Sequence, residues 1–424
     1  MMKKIIFLLG LFFVTVFAQS QVQTVFAGHP GGLGGHIDGI GTSAAFYHPM
    51  GMALDVNGNL YVADMLNNSI RKITPSGLVT TVAGNINSQG YQDGDVSVAK
   101  FNRPQGLTLD NLGNIFVADT NNMRIRKITP SGMVTTVAGS GVAGSANSIP
   151  LLSQFDNPVG IIIKDGIIYV SESCSIRAIN LSVGVGFVYT FAGSTCGFSD
   201  GSTANAKFNS PNGMAIDANG NFIIADSGNN RIRLIEPNGN VYTIAGNGSA
   251  GNSPSFPGPA TFNRPTGITL DASGNIFVTD QFSGFIRKIS GLNVSNLLNV
   301  GGLYCTGIVN DNNGNLFVSY QYQNNIKKIT GAILNIEKNN SSNNVKIYPN
   351  PTKNFITIDC SNLNNVDGNS IKITNTLGQV VFNQLMNTQQ YTVALNGLTG
   401  QGMYFVNIID NQGNVIYIKK IILQ

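Results

Sequence analysis

The chain has 424 residues, of which 11% are charged, with 50 glycines, no tryptophan and a formal net charge of +4. So sparse a charge, with no run of Lys or Arg, excludes a nucleic-acid arm or a polybasic membrane patch. The abundance of Gly and Asn favours hairpins and turns over long charged helices, so an all-β protein is the starting expectation.

Lys3 and Lys4 precede the apolar run Ile5 to Phe17, and Ala18-Gln19-Ser20 supplies small residues for processing. This is the layout of a secretory signal peptide, residues 1–20. The run falls short of the roughly 20 residues that span a bilayer as a helix, and no comparable stretch follows, so the mature chain is expected to have no transmembrane segment.

From residue 21 to 335 one block recurs. Pro49-Met50-Gly51, Pro104-Gln105-Gly106, Pro158-Val159-Gly160, Pro211-Asn212-Gly213 and Pro265-Thr266-Gly267 open successive copies at intervals of 53–55 residues, and a sixth opens at Cys305-Thr306-Gly307 after 40. Each copy carries apolar, β-branched stretches separated by short Asn/Gly turns, as in Gly106 to Asp110, Asn114 to Asp119, Arg124 to Ile128 and Val134 to Gly139. Such stretches read as four antiparallel strands. One sheet of this kind cannot bury both faces alone, so copies must stack. Copy six lacks a fourth stretch, and Val22 to Gly28 at the other end of the chain matches it. The expectation is a ring of six blades, a β-propeller whose N-terminal strand closes blade six and removes the exposed sheet edges.

The block Pro211 to Ile232, with Pro-x-Gly, a strand, Gly-Asn, an Ala-Asp strand end and Asn-Arg-Ile, resembles the NHL repeat. The resemblance implies a propeller and no single activity.

Residues 336–344 form a polar stretch that reads as a linker, and residues 345–424 return to short alternating strands, seven in all. They suggest a small Ig-like β-sandwich. Tyr348-Pro349-Asn350-Pro351, Asn375-Thr376-Leu377-Gly378-Gln379, Gly402-Met403-Tyr404-Phe405 and Lys419-Lys420-Ile421-Ile422 resemble the C-terminal sorting domain of type IX secretion cargo. That resemblance implies that residues 345–424 engage the type IX secretion machinery. It also implies that the protein is secreted from, or attached to the surface of, a Gram-negative cell.

The strongest polar pattern is Asp64, Asp119, Glu172, Asp226 and Asp280, which end the second stretch of five copies, with Arg71, Arg126, Arg177, Arg233 and Arg287 in the third. As function this is a collar for an anionic ligand. As structure it is an ion pair copied into every blade, and that reading is preferred because a device present in each repeat is scaffold by default. In copy six the two positions become Tyr320 and Lys327.

Asp55-Val56-Asn57-Gly58-Asn59 and its relatives at Asp110, Asp217, Asp271 and Asn310 look like the start of a calcium loop but lack its closing Glu, and read as hairpin turns. His29, His36 and His48 share the first linker with Asp38. Three imidazoles in one glycine-rich loop carry no fixed geometry for zinc. No cofactor is therefore expected, with Ca or Zn kept as alternatives. Cys174 and Cys196 fall at points of copy three that a disulfide can join, in an export compartment that permits one. Cys305 and Cys360 have no His or Lys beside them that would mark a catalytic thiol.

No catalytic constellation is legible. The first expectation is an interaction module that binds a protein, glycan or peptide through the face bearing the long linkers, such as Gly139 to Asn157 and Gly246 to Arg264. The alternative is a divalent-cation-dependent hydrolase or lyase working in the central channel. Nucleic acid is not an expected partner.

Overall fold

The computed structural model describes residues 22–84, 89–182, 184–255, 259–291, 293–301, 304–311, 313–331, 345–349, 352–361, 366–375, 380–395, 402–409 and 415–423. The expected signal peptide and linker lie outside the described residues. The chain divides into two units, Met1–Leu334 and Asn335–Gln424.

In the first unit the alternation of β-branched and polar residues gives strands, and Gly at positive φ turns the chain between them. The first complete sheet runs Pro49–Leu54, Leu60–Asp64, Ser69–Ile73, Leu78–Gly84, each strand antiparallel to the one before. Sheets of the same order begin at Pro104–Leu109, Ile161–Lys164, Pro211–Ile216, Pro265–Leu270 and Cys305–Asn310, giving six sheets of four or five strands among the described residues. In the sixth, three strands come from the end of the repeat region and the outermost is Val22–Ala27, with Val22 opposite Thr330 and Val25 opposite Lys327.

The first turn of the first sheet is built by Asp55, whose Oδ1 accepts the backbone N–H groups of Asn57 and Asn59 at 2.9 and 2.8 Å. Asp110, Asp217 and Asp271 repeat it. In the sixth sheet the turn is built by Asp311, not by Asn310 as the sequence reading has it. The side chain that caps both amides must stand four residues before the Asn that ends the turn, and before Asn315 that residue is Asp311.

The first strands of successive sheets lie side by side, and that of the sixth lies against that of the first. The glycine of Pro-x-Gly permits the approach. A Cβ on Gly51, Gly106, Gly160, Gly213 or Gly267 would stand 2.0–2.6 Å from the carbonyl oxygen of Gln105, Val159, Asn212, Thr266 or Thr306, the middle residue of the next copy's motif. On Gly307 it would stand 2.4 Å from the carbonyl oxygen of Met50, in the first copy. Apolar side chains fill the spaces between neighbouring sheets: Ala63 and Ile70 pack with Leu107 and Val117 around Phe101, and Phe317 and Ile326 of the sixth sheet pack with Met52, Leu60 and Val62 of the first.

The second unit has two antiparallel sheets. One orders Lys346–Tyr348, Phe355–Asp359 and Gln390–Ala394; the other orders Val380–Leu385, Ser370–Asn375, Gly402–Ile409 and Val415–Leu423. Ile356 and Ile358 of the first share a core with Ile371, Ile373, Val406 and Ile408 of the second.

The glycine contacts yield a prediction. Gly106→Ala puts a methyl group 2.0 Å from a backbone oxygen that cannot rotate away, so the expected loss is at the top of the ~1–3 kcal/mol range for overpacking or beyond it. Urea unfolding of the variant measures it, and an unchanged midpoint contradicts the close approach.

Candidate ligand-binding site

In five sheets the acid that ends the second strand and the arginine of the third are brought together. Asp64, Asp119, Asp226 and Asp280 accept from Arg71, Arg126, Arg233 and Arg287 at 2.7–2.9 Å, and Glu172 accepts from Arg177 at 3.1 Å. All five arginines are fully buried, each over the ring of a phenylalanine: Phe46, Phe101, Phe155, Phe208 or Phe262.

Each pair also holds the linker that leads into its sheet. Arg71 donates to the carbonyl oxygens of Ala45 and Ile37 at 3.0 and 2.9 Å, and Arg126 to those of Lys100 and Gln92 at 2.9 and 2.8 Å. Asp64 accepts the Tyr47 N–H at 2.7 Å and Asp119 the Asn102 N–H at 2.8 Å. A second carboxylate, not read from the sequence as an arginine partner, completes three of the clusters: Asp38, Asp93 and Asp200 accept from Arg71, Arg126 and Arg233 at 2.6–2.7 Å. Its signal was a constant offset of 33 residues before the arginine. Burial pushes the Asp64 and Asp119 carboxyls up to about 6, and the hydrogen bonds and the guanidinium oppose that push.

The sixth sheet explains the pattern by exception. Its first strand follows the fifth sheet after a short connection, so there is no long linker to hold, and there is no arginine. Lys327 instead lies 4.1 Å from the centre of the Tyr320 ring, and the Tyr320 hydroxyl accepts from Gln23 of the N-terminal strand. None of the ten collar residues lines the channel enclosed by the inner strands.

That channel has a waist. Met52, Leu107, Ile161, Met214, Ile268 and Ile308, one from each inner strand, are at most 9% exposed and line the cavities on both sides. Such a ring offers no partner to water or an ion. The cavity on the side of the Asp-bearing strand ends measures about 410 Å³ and the opposite one about 1020 Å³.

The smaller cavity has an uneven rim. From the first sheet to the fifth runs a chain of edge-to-face rings: Tyr47 to His48 at 5.2 Å, His48 to Tyr322 at 4.8 Å, Tyr322 to Tyr304 at 4.2 Å and Tyr304 to Phe282 at 5.3 Å between centroids. The Arg264 guanidinium lies 5.5 Å from the centre of the Phe282 ring. Tyr322 and Phe282 are about half exposed, at 52% and 46%. Gln281, only 8% exposed, lines the cavity and its side-chain amide has no partner among the described residues. Gln321 Nε2 lies 3.4 Å from His48 Nδ1, and burial, with help from Arg103, holds His48 below the ordinary imidazole value. No carboxylate lines this cavity among the described residues.

The backbone takes part. The residue before each Pro-x-Gly or Cys305 is in the left-handed region: His48, Arg103, Asn157, Ser210, Arg264 and Tyr304 have φ between 49° and 67°. A non-glycine residue stays there only when its surroundings impose it, and the bend puts Arg264 and Tyr304 on the cavity wall. The repeat search passes over these residues because it looks for what recurs, whereas the signal is in what departs. After the second-strand acid, or Tyr320 in its place, come Met65, Thr120, Ser173 and Ser227 in four copies, but Gln281-Phe282 and Gln321-Tyr322 in the last two.

The histidines of the first linker go to separate places. His29 accepts the Gly31 N–H at 3.0 Å, His36 lies 3.3 Å from the Thr81 hydroxyl and His48 faces Gln321, while Asp38 belongs to Arg71. Among the described residues no three His, Cys, Asp or Glu side chains stand together as metal ligands. Cys174 and Cys196 are joined as a disulfide. Cys305 and Cys360 are buried free thiols, pushed up by burial to about 12 and about 11.

If the buried pairs hold the linkers, Asp119→Ala removes the buried partner of Arg126 and leaves Asp93 to balance its charge, so the expected cost stays below the ~3–5 kcal/mol of a buried charge with no partner. Limited proteolysis of this variant is expected to cut within residues 89–102 well before the intact protein is cut there, and an unchanged cleavage pattern contradicts the assignment.

A family model described as the secretion system C-terminal sorting domain matches residues 346–424, and the NHL repeat matches residues 101–128 and 208–233. The chain is 30% identical over 276 residues to Protein SUPPRESSOR OF QUENCHING 1, chloroplastic, of Arabidopsis thaliana, covering 60% of the chain and 26% of that protein. It is 30% identical over 320 residues to NHL repeat-containing protein 2 of Bos taurus, covering 65% and 43%. The match thus spans less than half the length of either relative. A crystal structure of a Bacteroides thetaiotaomicron protein of unknown function is similar at a TM-score of 0.56 and 17% identity, over 73% of this chain and 76% of that one, a likeness of fold alone. Among the described residues no helix is long and apolar enough to cross a membrane. The chain is an NHL-repeat β-propeller carrying a C-terminal sorting domain for type IX export to the outside of a Gram-negative cell.

Proposed function

We propose that the first unit is a six-bladed propeller closed by its own first strand, and that outside the cell it binds a ligand at the channel mouth on the linker-bearing face. The cyclic order of the glycine contacts, ending with Gly307 against Met50, and the pairing of Val22–Ala27 with Asn325–Thr330 support six blades and closure. Two sheets over one core support an Ig-like sandwich for the second unit, the part that engages the secretion machinery. We assign the buried Asp–Arg and Glu–Arg pairs to the scaffold.

The observation that carries the binding reading is Gln281. Gln281 is 8% exposed, and its side-chain amide, with no hydrogen bond among the described residues, opens into a cavity rimmed by half-exposed aromatic rings. A preformed concave site with a few unspent polar groups is what a ligand pocket looks like. The alternative of a divalent-cation hydrolase or lyase in the channel finds little support in the donors present, since this wall offers no carboxylate oxygens for Ca²⁺ and those of the opposite cavity, Asp55 and Asp311, accept from the amides of their own turns.

Arrays of immobilised glycans and peptides test the reading. The mature protein is expected to bind a subset that the double variant Gln281→Ala/Tyr322→Ala does not, with both proteins melting at the same temperature; equal signals from the two would end it. For closure, removal of residues 22–28 is expected to lower the unfolding temperature of the first unit and leave the transition of the second in place in calorimetry. For export, a chain stopped at residue 335 is expected to accumulate in the periplasm on cell fractionation, where the full chain does not.

A further inference from the structure

Resting on the binding reading above, we infer that the channel mouth takes the terminal acidic sugar unit of a saccharide, its carboxylate on Arg264 and a ring face on Tyr322 or Phe282.

Three features of the wall select this chemistry. The first is charge: Arg264 is the one charged residue lining the cavity among the described residues, and no carboxylate stands beside it to take up the guanidinium. Its side chain makes no ion pair within the described residues and lies along the Phe282 ring, so its planar fork is free to receive a carboxylate with two parallel hydrogen bonds.

The second is the kind of polar group present. Sugar hydroxyls both donate and accept, and a side-chain amide answers both. Gln281, Gln105 and Asn212 supply such amides to the wall, and none of the three has a hydrogen bond to its side chain among the described residues. The Tyr322 and Phe282 rings beside them are about half exposed and offer aromatic surface to the apolar face of a pyranose.

The third is shape. The cavity of about 410 Å³ falls within the ~300–1,000 Å³ of small-ligand sites. Its floor is the apolar waist of Met52, Leu107, Ile161, Met214, Ile268 and Ile308, which offers sugar hydroxyls no side-chain partner and so favours entry by an end or a branch. A peptide is less well served. Main-chain recognition needs a free strand edge, and the inner strands are filled against one another at the glycines.

Calorimetric titration of the full mature chain with oligomers of galacturonate, glucuronate and mannuronate, each beside its methyl ester, tests the assignment, with tetraglutamate as the acidic peptide. The expected result is binding of at least one uronate, with its ester about tenfold weaker or more, as loss of a charged hydrogen bond predicts. Arg264→Gln is expected to erase the difference between acid and ester, Arg264→Lys to keep part of it, and Gln281→Ala to weaken both forms alike. Thermal scans of each variant separate lost binding from lost folding, and the exposure of the Arg264 side chain favours intact folding. Esters that bind as well as acids overturn the acidic assignment and leave the binding site standing. Tetraglutamate binding without any saccharide overturns the sugar. Failure of the whole panel overturns this inference, and failure of the arrays as well overturns the site.

Discussion

The distance between neighbouring inner strands governs the rest of this molecule. Where a carbonyl oxygen of one copy meets the glycine of the copy before it, there is no room for a single carbon atom, and the same contact recurs around the repeats. Strands held so close enclose a channel that six medium-sized side chains can plug. The two cavities are therefore separate places with separate chemistry, and a ligand on the linker side meets a floor.

A second division of labour follows from the linkers. Five long connections need fixing, and each is fixed by an arginine that reaches from its sheet into linker carbonyl groups, with a carboxylate to balance its charge. A buried ion pair of this kind adds little net stability over an apolar substitute. What it adds here is direction, since five guanidinium donors in a fixed fork accept only one path of the linker backbone. The sixth connection is short, needs no such device, and leaves that side of the rim to the rings of Phe282, Tyr304 and Tyr322. The scaffold and the site thus use different residues, and the fifth sheet carries both, Asp280 with Arg287 in a buried pair and Gln281 with Phe282 on the cavity wall.

Much of this could be read from the residues. Strand positions, the Asx turns and the spacing of Asp119 from Arg126 are local, and local spacing survives in a sequence. The sorting domain was legible through short motifs that stay together. What stayed hidden depends on the chain folding back on itself. Asp93 meets Arg126 only because the linker returns across its own sheet, and Gln281 gains its meaning only from a cavity. Copy six hid its turn one residue along, at Asp311, because the motif was aligned on the strand and not on the side chain that builds the turn. In a repeat protein the copies teach the fold, and the departures from them mark the places where something else is wanted.

The strand Val22–Ala27 finds its partner more than three hundred residues later in the chain. Every other sheet of the first unit can zip from neighbouring hairpins as soon as its residues are available, whereas this one must wait for the last repeat, so its register sets the slowest, least local step of folding. The entropic cost of so wide a loop is modest, because it grows only with the logarithm of length. The consequence lies in the reverse direction. With the closure proposed above, a protease or a pulling force outside the cell that frees the six residues of this strand opens the sheet made from both ends of the repeat region.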